Sequence, residues 1–207
     1  MANKIEILKT KLILAEGRDA KEFLIWALDA YVMDGIQVMD FGGINDLAKF
    51  IKTLTKIDKY DEVTSIIVAR DAEVDHKSAF NSVKSVLKNN NLSVPDSLFT
   101  YTNATPKVAI MLFPGFDASS GNIENGCLED LCLKTITDKT IDETQVYLQN
   151  INNNHEKLTH EHKSKLHAYL SVKNKFVGSK LGEAAKKGAW DWQSSALEPY
   201  KNIILQA

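Results

Sequence analysis

Residues 63–73 read VTSIIVARDAE. The run opens with β-branched and aliphatic residues, the composition of a strand covered on both faces, as the strands of parallel sheets are. It then breaks abruptly into Arg70, Asp71, Ala72 and Glu73. In open α/β sheets ligands bind in the crevice outside the carboxyl ends of the strands. Acids standing at that break are therefore candidates for function as well as for structure.

The segments on either side repeat the pattern. Residues 11–15 (KLILA) predict a short buried strand that ends at Glu16-Gly17. Over residues 20–33, Phe23, Leu24, Ala27, Leu28 and Tyr31 recur at the spacing of one helical face, with Asp19 placed to cap it. Residues 36–41 predict a second strand stopped by Gly42-Gly43, and Asn45 or Asp46 opens a helix carrying Leu47, Phe50, Ile51 and Leu54. A helix from about residue 77 to 88 follows the strand at 63–69, with Phe80, Val83, Val86 and Leu87 as its apolar stripe. Residues 108–113 (VAIMLF) predict a fourth strand closed by Pro114-Gly115, and after a polar loop residues 128–136 look helical. This alternation predicts an α/β fold, a Rossmann-like, mostly parallel four-stranded sheet with helices on both faces.

Beyond residue 137 the pattern changes. Residues 142–151 and 159–172 read as polar-faced helices separated by the asparagines at 152–154, with a weak strand signal at 175–177. A last helix carries Leu197, Ile203, Ile204 and Leu205, whose packing on the core also accounts for Trp190 and Trp192. The expected organisation is an α/β core over residues 1–136 and a mainly helical C-terminal extension over 137–207, packed as one compact unit.

Composition limits the function. The chain has 207 residues, with 44% hydrophobic and 25% charged, which is a globular balance. A formal charge of −2 lacks the basic footprint of a duplex-binding protein. The start, MANKIEILKTKLILAEG, has no uninterrupted apolar core of a signal peptide, and the longest apolar run, 108–113, is far too short for a membrane span. Cys127 and Cys132 are five apart, which suits neither a redox CxxC nor a structural zinc motif, and reads as reduced thiols in the cytoplasm. His155, His160, His162 and His167 lie close together but are interleaved with lysines, and read as a solvated helix face rather than a metal site. No Walker-type GxxxxGK[ST] or Gly-x-Ser-x-Gly is present.

Glu16, Asp71 and Glu73 fall at strand ends, and Glu129-Asp130 opens a helix after the fourth strand. Carboxylates gathered on one edge repel one another unless a cation lies among them, and hard oxygen ligands of this type suit Mg2+ or Mn2+. Asp19 and Asp75 fit helix capping best.

These residues resemble the Toprim domain of primases, topoisomerases and OLD-family nucleases, which carry a glutamate-glycine on the first strand and Asp-x-Asp on a later one. LILAEGRDAKEF (12–23), IIVARDAEVDHKSAFNSV (66–83), FPG (113–115) with GCLEDL (126–131), KSKLHAYLSVKNKF (163–176) and LGEAAKKGAWDW (181–192) are similar to small stand-alone Toprim-like bacterial and phage proteins related to the OLD nuclease domain. The resemblance implies that Glu16 is a metal ligand and general acid or base, and that Asp71 is the first acid of Asp-x-Asp. It further implies that Glu73 replaces the second aspartate, that Glu129 is the acid of a Gly-x-Leu-Glu segment, and that Lys163 or Lys165 stabilises charge on the transferring phosphate. The OLD-type pattern has another acid four positions after the first glutamate; here that residue is Ala20, and Asp19 stands one position early.

The resulting expectation is a cytoplasmic, Mg2+- or Mn2+-dependent nuclease, with Glu16, Asp19, Asp71, Glu73 and Glu129 toward metal and Glu16, Asp71, Lys163 and Lys165 in catalysis. It implies DNA or RNA as substrate, a separate ATPase subunit as a partner, no membrane association, and room for a homo-oligomer. The alternative is a non-catalytic Toprim-like module that binds a partner protein or nucleotide. A receiver-like phosphoacceptor fits less well, because the first strand offers one glutamate instead of an acidic pair and no lysine ends a later strand.

Overall fold

The computed structural model describes residues 5–117 and 120–207. β1 (Lys11–Ala15), β2 (Ile36–Asp40), β3 (Ser65–Asp71) and β4 (Lys107–Phe113) form one sheet in the order β2-β1-β3-β4, with every neighbouring pair parallel. α1 (Gly17–Ala30), α2 (Leu47–Leu54) and α3 (His76–Asn89) are the crossovers that successive parallel strands of one sheet require.

Side chains alternate across the sheet. Leu12, Leu14, Ile66, Val68, Ile110 and Leu112 share one buried cluster with Leu47, Ile51, Val83 and Leu87 of α2 and α3. Ile13, Ala15, Ile67, Ala69, Met111 and Phe113 share the other with Phe23, Leu24 and Leu28 of α1. Both faces are covered, which is why β3 and β4 read as unbroken apolar runs instead of alternating ones.

The layer on the α1 side is completed by the later helices α4 (Leu128–Lys134), α5 (Thr140–Asn154), α6 (Glu161–Ser171), α7 (Leu181–Lys186) and α8 (Glu198–Leu205). Leu131, Leu166, Leu170, Leu181, Trp190, Tyr200 and Ile203 all belong to its buried cluster. The chain passes from β1 to β2 on one side and then crosses to β3 on the other. The carboxyl ends of β1 and β3 therefore flank the topological switch point, where open α/β sheets form their crevice.

Several boundaries differ from expectation for identifiable reasons. β3 continues to Asp71 because Arg70 and Asp71 still pair with Leu112 and Phe113. α1 starts at Gly17, whose φ of +80° turns the chain directly out of the strand, a conformation glycine adopts without steric cost. Asp19 accordingly lies inside the first turn and is not the cap. The asparagines at 152–154 form the last turn of α5 instead of a break. Residues 175–177 are turns, with the Phe176 and Val177 amides both donating to the Lys173 carbonyl, at 2.8 and 2.9 Å. α7 was not expected: LGEAAK has little apolar periodicity, and it packs on α1 so closely that a Cβ on Gly182 would sit 2.5 Å from the Glu22 Cβ. Among the described residues no helix is long and apolar enough to cross a membrane.

Tyr200 ties α8 to the sheet. Its hydroxyl donates to the Leu112 carbonyl at 2.6 Å, and its ring stacks on Phe113 at 5.4 Å between centroids. Tyr200→Phe strands a buried acceptor and is expected to cost about 1–2 kcal/mol, whereas Tyr200→Ala also opens a cavity and should cost about 3–5 kcal/mol. Urea unfolding of the two variants checks the order: equal losses would show that the ring contributes nothing beyond the hydroxyl, and an unchanged Tyr200→Phe would show that the hydroxyl contributes nothing.

Candidate functional site

Glu16 leaves β1 at the switch point. The β1–β3 register sets Ala15 opposite Ala69, so the next residues, Glu16 and Arg70, lie on the same side of the sheet. Glu16 Oε2 is 3.3 Å from Arg70 Nε. That Nε, however, points its hydrogen at the Asp71 carbonyl, 3.1 Å away. The buried Oε2 is thus beside a positive charge yet accepts no hydrogen bond. Burial holds the Glu16 carboxyl above its ordinary range, opposed by Arg70 and by the Asp71 amide, with Glu73 pushing the same way as burial.

Asp71 is the last residue of β3. Its Oδ1 accepts the Leu128 N–H at 2.9 Å, one of the free donors at the start of α4. Burial raises its carboxyl to about 7, followed by the charge of Glu129. The Leu128 amide opposes this, and Glu16 and Glu73 add to it. The four acids Glu16, Asp71, Glu73 and Glu129 therefore act on one another.

The loop geometry that gathers them is specific. Glu73 takes φ +56°, and its N–H and C=O bond reciprocally to Gly126 at 2.7 Å each way. This two-residue bridge clamps the end of β3 to the loop before α4 and so carries Glu129 to Asp71. Gly126, at φ +134°, leaves no room for a side chain, since a Cβ would meet Asp130 Oδ2 at 2.5 Å. Lys163 of α6 completes the group, its Nζ 3.9 Å from Glu129 Oε1 and its side chain half exposed. Among the described residues, no three of these acids close to within 4.8 Å of one another, so they do not form a single tight shell.

Residues 10–207, from before β1 through α8, match the family described as Protein of unknown function (DUF3226). The chain belongs to the DUF3226 family. No curated protein and no solved structure matches it.

The DUF3226 match takes in all four acids and also the candidates that lie elsewhere. Asp19 Oδ1 accepts the Gly182 N–H at 3.2 Å, so it ties α1 to α7. Lys165 lies two residues after Lys163, about 200° round the helix, on the other flank of the stripe formed by Leu166, Tyr169 and Leu170. Ala20 is buried in the α1-side core, where a carboxylate would have no solvent. Asp75 caps α3, accepting the Lys77 N–H at 3.0 Å and the Ser78 hydroxyl at 2.6 Å. Arg70 is the residue that reading by type overlooked: it is only 5% exposed, and a cation ending a doubly covered strand was the available signal.

The raised Asp71 carboxyl has a consequence for stability. Between the ordinary range near 4 and about 7, the native state holds a proton there that the unfolded chain has lost, so stability falls as pH rises through that window. Asp71→Asn is expected to flatten the fall between pH 4 and pH 7 in denaturant unfolding. An identical drop in the variant would show that Asp71 is not its source.

Proposed function

We propose that this DUF3226 protein is a divalent-metal-dependent phosphoryl-transfer enzyme, a hydrolase of the Toprim/OLD nuclease type. The supporting observation is Asp71, a mostly buried carboxyl raised to about 7, largely by burial and by the neighbouring acids Glu129, Glu16 and Glu73. Such a group is stabilised either by a proton or by a cation. The buried Glu16 Oε2, without a hydrogen bond, is a further oxygen available to an ion.

The donor set fits Mg2+ or Mn2+. It is all carboxylate, and Mg2+ in particular takes one or two carboxylates with waters and substrate phosphates, not a closed protein cage. One or two of Glu16, Asp71, Glu73 and Glu129 would hold the ion directly and the others through its waters, and when bound it supplies Lewis acidity toward a phosphoryl oxygen and lowers the pKa of an attacking water. Arg70 fixes Glu16 electrostatically from the buried side. Lys163, with its half-exposed ammonium beside Glu129, is placed to meet a phosphate oxygen. Glu16, at the edge of β1, would serve as the proton carrier only when its carboxylate is not bound to the ion.

The reading takes DNA or RNA as substrate in the cytoplasm and leaves nucleotide hydrolysis to a separate ATPase subunit, since the chain has no Walker-type loop. With a net charge of −2, backbone contacts rest on a few lysines and the metal, so binding should depend only weakly on salt.

Incubation of supercoiled plasmid with Mg2+ or Mn2+ is expected to give nicked or linear product with the wild type, and about 100-fold or greater loss in Glu16→Gln and Asp71→Asn. Full activity in either folded variant removes the proposed site. Absence of cleavage by all three on DNA and on RNA would favour the partner-binding module instead. In filter binding to the same nucleic acids, a steep log–log salt slope would contradict the few-contact interface.

A further inference from the structure

Next to the four acids, a chemically different group of side chains meets. Cys127 immediately precedes α4, Asp130 is the third residue of that helix, and His162 is the second residue of α6. One ligand atom from each lies within 4.8 Å of the other two. Cys127 Sγ is 3.3 Å from Asp130 Oδ2. Sulfur and oxygen ligands at ordinary zinc distances in a tetrahedral shell stand about 3.5 Å apart.

Packing and capping do not account for all of this. The Cys127 N–H donates to Asp130 Oδ2 at 2.9 Å, which is the capping half of the arrangement. A cysteine is nevertheless a poor choice at a helix N-cap, where serine, threonine, aspartate and asparagine are preferred. The thiol is buried yet donates to a carboxylate, that of Asp130. His162 also stands apart from its neighbours. His155, His160 and His167 are exposed, whereas His162 is half-buried against the start of α4. A thiol, a carboxylate and an imidazole brought together from two helices form a borderline-soft donor set, unlike the all-oxygen cluster beside them.

We infer that Cys127, Asp130 and His162 form a zinc site, distinct from the carboxylate cluster and joined to it through the first turn of α4. Three protein ligands leave the fourth tetrahedral position to water. Zinc takes Cys127 as the thiolate, so one proton passes to solvent as the Zn–S bond forms, with no change of oxidation state. The site stands on its own residues and does not require the nuclease reading.

Cobalt(II) is the probe, because it reports a thiolate ligand spectroscopically. Titration of the full chain is expected to give a sulfur-to-cobalt charge-transfer band saturating at one equivalent. Zn2+ should abolish the band stoichiometrically, and excess Mg2+ should leave it in place. Cys127→Ser should remove the band. His162→Asn, at a half-exposed position, should keep its far-ultraviolet circular dichroism and bind Co2+ about 10-fold or more weakly. That variant decides the matter if Cys127→Ser does not fold. A wild-type protein that shows no band in excess cobalt, or a His162→Asn protein with undiminished affinity, overturns the zinc site.

Discussion

Asp71 ends a strand whose preceding six residues are buried, and its carboxylate is held by the Leu128 N–H. A mostly buried carboxylate without such partners would be costly. Meeting that demand means bringing the chain back over the sheet after β4, and the reciprocal Glu73–Gly126 bonds fix the path it takes. The position of α4 follows, and α6, packed against α4, brings Lys163 and His162 to the same edge. One strand-end acid thus organises elements spread from residue 71 to residue 163.

The second half of the molecule is less an appendage than a missing layer. α2 and α3 cover one face of the sheet, but α1 covers only part of the other. Leu166, Leu170, Leu181, Tyr200 and Ile203 supply the remainder, against Met111 and Phe113. Apolar area of that kind contributes about 25 cal/mol per Å2 when removed from water, so the later helices are stabilised mainly by the sheet they cover. Their weak intrinsic amphipathicity is tolerable for that reason.

What was readable in advance follows the same division. Strands buried on both faces write continuous β-branched runs, so β1, β3, β4 and the acids after them stood out, and α/β alternation followed. The register of a helix against distant partners is not written locally. Asp19 looked like a cap because it precedes an apolar stripe; the Gly17 turn starts the helix earlier, and a bond to Gly182, 163 residues away, sets its role. Residues 175–177 have the side chains of a strand, but the outer edge of β4 is already engaged by the Phe99 and Thr102 amides. The four histidines looked equivalent on a solvated face, and only the meeting of α6 with α4 distinguishes His162.

The seating of Tyr200 on the Leu112 carbonyl spans 88 residues. As the chain leaves the ribosome, the α/β elements emerge and can pair well before α8 exists. Until Tyr200 arrives with α8, Met111 and Phe113 lack part of their apolar cover. Such transiently open surfaces are where nascent chains stick to one another or recruit chaperones. The lag between making the sheet and making its cover is a vulnerability of synthesis, not of the finished fold, and it ties the demand for assistance to the interval before α8 is made.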